Sequence, residues 1–188
     1  MVTDPAPHEP VDKSKKPVTL AELLVVVALV VLLAAIVLPN VMRSEISANE
    51  ASAVGSIASI NRAEVSYQTA NPSLGFASSL ETLGPNGPND SCQAPTASHA
   101  CLIEEALARA GSQAQARNGY WFRVSPAGRD ARGSVSAYVT GTAAAVYNQT
   151  GRRDFCSEED GVVHYRDPGR NSAPAGTAVE CAAMPVLR

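Results

Sequence analysis

Aromatic residues make up only 5% of this chain, and the short motifs that mark hydrolases and zinc enzymes are absent. There is no G-x-S-x-G, no H-E-x-x-H and no convincing pair of acids; Glu104-Glu105 reads as a solvated helix face. These absences weigh against a membrane-anchored exported enzyme. No C-x-x-C pair occurs, and His8, His99 and His164 are scattered, which argues against zinc. An excess of positive charge is also missing. The 15 basic and 18 acidic residues leave a net charge of −3, so a nucleic-acid partner is not expected. Lysine disappears after Lys16, and glycine does not occur before Gly55.

What is present is a single long apolar run, Thr19 to Asn40 (TLAELLVVVALVVLLAAIVLPN), with one carboxylate, Glu22, just inside its start. Its roughly 20 residues cover about 30 Å as a helix, the thickness of a bilayer's hydrocarbon core. A carboxylate in such a span costs roughly 2.5–3.5 kcal/mol and calls for a partner. Thr19 and Glu22 stand at the capping-box spacing, so a plain helix-start role for Glu22 is the competing reading. Lys13, Lys15 and Lys16 directly precede the run, which keeps the N-terminus cytoplasmic and sends the remainder outward. The run is too long for a cleaved secretory signal, ends without an A-x-A site and carries an acid.

All four cysteines, Cys92, Cys101, Cys156 and Cys181, lie on the exported side and read as two disulfides. Three connectivities are open. Cys92–Cys101 with Cys156–Cys181 is favoured because each pair closes a local loop.

The chain then divides as follows. Residues 1–17 hold four prolines and no periodicity, as a disordered leader would. Residues 18–40 form the apolar half of a long helix. Pro39 removes one hydrogen bond and is expected to kink or loosen that helix, or to mark its membrane exit. Residues 41–70 form an amphipathic half. Ile46, Ala53, Ile57, Ile60 and Tyr67 share one face, and Arg43, Glu45, Glu50, Arg62 and Glu64 are assigned to the polar remainder. The helix ends near Asn71-Pro72. Residues 71–118, rich in Gly, Pro, Asn and Ser, read as an irregular connection with one short helix, 101–110. Residues 119–188 hold strand signals at 119–125, 134–141, 154–157 and 161–166, with Asp160-Gly161 as a hairpin turn and a loop-like tail held by Cys181. Tyr120, Trp121 and Phe122 read as sheet and core residues, and His164 as an edge residue. The expected fold is α+β: a long N-terminal helix on a roughly four-stranded antiparallel sheet.

The leader, the segments T-L-A-E-L-L-V-V-V-A (19–28) and L-A-A-I-V-L-P-N (33–40), and the helix that follows resemble the type IV pilin and type II secretion pseudopilin superfamily. The segments 49–57, 60–67 and 151–165 are similar to later parts of pilin-like chains. The resemblance implies a pilin-like fold and a leader removed by a prepilin peptidase. Glu22 would be the fifth residue of the mature chain, so the cut would fall between Pro17 and Val18 and the new N-terminus would be methylated. Pro17 stands where the family's peptidase prefers Gly, and Val18 where Phe is usual. Glu22 would pair with the Val18 amine of a neighbouring subunit, Pro39 would be the helix-loosening proline, and the Cys156–Cys181 loop would correspond to a C-terminal disulfide-bounded region. The implied partners are further copies of the chain, other pilins, the peptidase, the pilus or type II secretion assembly machinery and the bacterial inner membrane. The subunit would start as a single-pass inner-membrane protein and end in a periplasmic or cell-surface filament. No cofactor and no metal are called for. A secretion pseudopilin and a non-polymerising single-span protein remain the alternatives.

Overall fold

The computed structural model describes residues 19–188. Residues 1–17, with the expected leader, and Val18 lie outside the described residues. Among those described, one compact unit ends at Asn40 and a second runs Val41–Arg188.

Helix α1 (Leu20–Ala70) begins in the first unit and continues in the second. Its early residues are almost all Leu, Val and Ala, with no glycine to weaken the ladder. The helical state runs on through Pro39, although a proline nitrogen cannot donate to the turn before it. The Pro39 side chain, like those of residues 36–38, lies outside what is described. In the first unit the large apolar side chains point into open space: Leu23, Leu24, Val27, Val30 and Leu33 are all at least half exposed.

In the second unit the same helix becomes amphipathic and packs on a sheet. Ala53, Ile57, Ile60, Ala63 and Tyr67 are buried against Tyr120, Phe122, Val124 and Phe155. The sheet is antiparallel in the order β1 (Tyr120–Arg129), β2 (Val135–Ala144), β3 (Asp154–Glu158), β4 (Val163–Arg166). The fold is therefore α+β, a long N-terminal helix on a four-stranded antiparallel sheet. The β3–β4 turn closes through Gly161 N–H to the Glu158 carbonyl at 3.0 Å, with Gly161 at φ 73°. A left-handed φ is what glycine supplies at this Asp-Gly pair.

Several expectations need correction. Glu50 and Glu64, assigned to the polar side of α1, are buried with 5% and 0% exposure. At 3.6 residues per turn they share the angular position of Ile57 and Ile60, so helix geometry overrides residue type. Ile46 is only half-buried. The single short helix expected over 101–110 shrinks to α3 (Glu105–Ala108), and a second one-turn helix, α2 (Leu80–Leu83), precedes it, capped by Ser79 on the Thr82 N–H. Strand β1 runs past Ser125 to Arg129 through an irregular register around Gly128. The tail is not all loop: α4 (Ala178–Ala182) forms there, capped by Thr177.

Along β2 Tyr138 turns toward α1, where its hydroxyl bonds Asn61, and Val139 turns the other way, and both faces are buried from Tyr138 onward. One faces α1. The other is covered by the C-terminal segment, where Val139, Cys156, Ala175, Cys181 and Met184 form a second core. The chain end also lines the free edge of β4, with Tyr165 N–H to the Pro185 carbonyl (2.9 Å) and Leu187 N–H to the Val163 carbonyl (2.8 Å). This covers an edge that would otherwise invite another strand.

Candidate functional site

The start of α1 carries a reciprocal cap. Thr19 N–H and Oγ1 both donate to Glu22 Oε2 (3.0 and 3.1 Å), and Glu22 N–H donates to Thr19 Oγ1 (3.2 Å). The carboxylate thus satisfies the Thr19 N–H and the Thr19 hydroxyl the Glu22 N–H, two donors the first turn would otherwise leave unpaired. Thr19 is a neutral partner, however. It orients the carboxylate without cancelling its charge. Around it, among the described residues, the large apolar side chains of the first unit are exposed. Among the described residues one helix, near the N-terminus, is long and apolar enough to cross a membrane. Of the other predicted site residues, Pro17 and Val18 are outside the described residues.

The two cysteine pairs lie at disulfide distance: Cys92 with Cys101, Cα atoms 5.8 Å apart, and Cys156 with Cys181, 5.7 Å apart. They differ in setting. Cys156 and Cys181 are fully buried, tying β3 to α4 across the second core. Cys92 is exposed and Cys101 half-exposed, closing a surface loop. Asp90 lies beside that loop's sulfurs. Disulfide sulfurs are not thiolates and bind metal poorly, and the Asp90 carboxylate accepts from the Asn86 and Cys92 N–H groups.

A groove of about 610 Å³ runs beside α1, lined by Ser52, Gly55, Ser59, Arg62, Leu107 and Arg117 among others. The hydroxyls at its floor are committed: Ser56 Oγ donates to the Ser52 carbonyl and Ser59 Oγ to that of Gly55. Arg117 pairs with Glu104 and reaches Ser56. Tyr120 and Phe122 are buried and Trp121 half-buried, as a sheet-and-core role requires. His164, half-buried in β4, bonds the Met184 carbonyl at 2.7 Å.

Sequence reasoning missed the polar bolts between α1 and the sheet. Glu50 accepts from Arg152 N–H, Arg153 N–H and Arg153 Nε (3.0, 3.1 and 2.7 Å). Asn61 donates to Ser157 Oγ and accepts from Tyr138 Oη (2.9 and 3.2 Å). Glu64 accepts from Ala77 N–H. Their signal was present: each is three, four or seven residues from Ile57 or Ile60.

No family model matches this sequence, and no curated protein and no solved structure matches it.

Proposed function

We propose that this chain is a structural subunit of a type IV pilus-like filament, polymerising through the apolar half of α1. The observation that carries the reading is an apolar helical stretch with exposed large side chains and one carboxylate near its start, followed in sequence by a separately packed α+β unit. An apolar surface of this size needs lipid or a second apolar surface. A filament supplies both in turn, first a membrane and then the bundled helices of other copies. Glu22 then sets the register. Thr19 orients the carboxylate before assembly, and the free Val18 amine of a neighbour neutralises it afterwards. Opposite charges about 4 Å apart interact by roughly 4 kcal/mol at an effective dielectric of 20. A neighbour in the wrong register leaves a charge buried alone, which is heavily penalised.

In this reading the chain is not an enzyme and needs no cofactor. Its partners are copies of itself, other pilins, a prepilin peptidase, the assembly machinery and the bacterial inner membrane. A type II secretion pseudopilin shares the same N-terminal half; the buried Cys156–Cys181 closure of the tail favours the pilus. The test is the mass of the chain purified from its host membrane. Loss of residues 1–17 with gain of one methyl group is the expected result. An intact N-terminus points instead to a single-span protein that does not polymerise, with Thr19 as the lasting partner of Glu22.

A further inference from the structure

Two glutamates enter the core from α1, and their surroundings are opposite. Glu50 takes three donors, one of them the Arg153 guanidinium. Glu64, about four turns further on, is fully buried and takes one: Ala77 N–H donates to Oε2 at 2.7 Å, while Oε1 has no partner among the described residues. Burial pushes the Glu64 carboxyl up to about 8, with the Ala77 bond opposing. The titratable groups facing it are Tyr67 on α1 and Tyr138 on β2, whose hydroxyls are pushed up by burial first and then by Glu64. Glu159 and Asp160, on the β3–β4 turn, add negative charge near Tyr138. None of these groups is a cation that could hold a carboxylate ionised.

Ala77 belongs to the segment that leaves α1 and reaches α2. Leu74 and Phe76 join the start of β2 through Val135 (Val135 N–H to the Leu74 carbonyl, 2.8 Å; Phe76 N–H to the Val135 carbonyl, 2.9 Å). The Phe76 ring lies 4.8 Å from that of Tyr138. Between them Gly75, at φ 82°, approaches Val135 so closely that any Cβ would strike its backbone. Ala77 and Leu80 pack in the core with Ile60 and Tyr67, and Glu64 adds a hydrogen bond from α1 to the segment's backbone.

We propose that Glu64 and the Ala77 N–H form a proton-operated latch on residues 74–80. With Glu64 carried as the neutral acid the segment is closed on α1 and β2. Loss of the proton leaves a buried carboxylate with one donor and no cation, and the segment lifts to let water reach it.

The sign follows from linkage. An acid whose closed-state pKa lies above its open-state value favours the open form as pH rises. Opening of 74–80 should increase up to about tenfold per pH unit from about pH 5 and level off near pH 8.

Hydrogen exchange on the full chain in detergent micelles, corrected for intrinsic rates, reads this directly. The expected result is a loss of protection at 74–80 over that range, through an opening cheaper than the global unfolding that β2 and β3 report, and no such slope in Glu64→Gln. A flat wild-type profile overturns the proposal. So does exchange of 74–80 only through the same global unfolding as β2 and β3, or the same slope in Glu64→Gln. Should that variant not fold, the infrared carboxylic-acid band of the wild-type chain, labelled at glutamate, decides. Its disappearance in step with the opening supports the latch, and its absence at pH 6 sinks it.

Discussion

Buried acids on α1 make opposite demands. Removing the Glu50 side chain in Glu50→Ala leaves the Arg152 and Arg153 N–H groups without their acceptor and Arg153 without its ion pair. Loss of both should cost about 2–4 kcal/mol of unfolding free energy in urea titrations, since the carboxylate is buried although the guanidinium is partly solvated. Glu64→Gln should act the other way above pH 6. The wild-type acid contributes stability that is full below its unfolded value of 4.5 and is lost as pH rises toward about 8. Wild-type stability should therefore fall by roughly 2–4 kcal/mol between pH 5 and pH 8, while that of Glu64→Gln stays level. Paired urea titrations at the two pH values check both the size and the direction.

Elements respond differently because the two disulfides serve different ones. Cys156–Cys181 binds the covering segment to the sheet in a solvent-free core. Its closed loop constrains the unfolded chain by about 3 kcal/mol, so the Cys156→Ser/Cys181→Ser pair should lower the unfolding midpoint clearly. It should also expose the face of β2 around Val139, which dye binding would report. Cys92–Cys101 closes an exposed loop remote from that core. Under mild reductant it should open first, with Cys92 and Cys101 alkylated before Cys156 and Cys181 in a timed mass analysis. The Cys92→Ser/Cys101→Ser pair should change stability less.

At the scale of the whole molecule, a packed unit, Val41–Arg188, holds its own core, while among the described residues of the preceding apolar helix no large side chain is buried. A chain starting at Val41 should therefore be soluble, monomeric and doubly disulfide-bonded, as light scattering and a thiol count would establish. On the proposed filament role, Glu22→Ala in the full chain should abolish or strongly deplete fibres in electron micrographs while leaving membrane insertion intact, because the apolar run is untouched. Fibres of normal number and regularity in that variant would remove the register role of Glu22.

Much of this was legible in the residues alone. The span from Thr19 to Asn40, the capping pair Thr19 and Glu22, the strands around Tyr120, Val135, Phe155 and Tyr165, and the turn at Asp160-Gly161 all follow from local chemistry: apolar run length, short-range spacing, side-chain alternation and left-handed glycine. Proximity was decided only by the tertiary structure. Glu50 and Glu64 look like surface acids until the helix is laid on a sheet, when their angle rather than their charge determines their fate. Likewise, nothing local to β2 says that a tail some forty residues later will cover its second face, because that burial depends on where distant segments return. Short-range order is written in neighbouring residues, whereas the cost of burying a charge is set by whichever groups the fold brings against it.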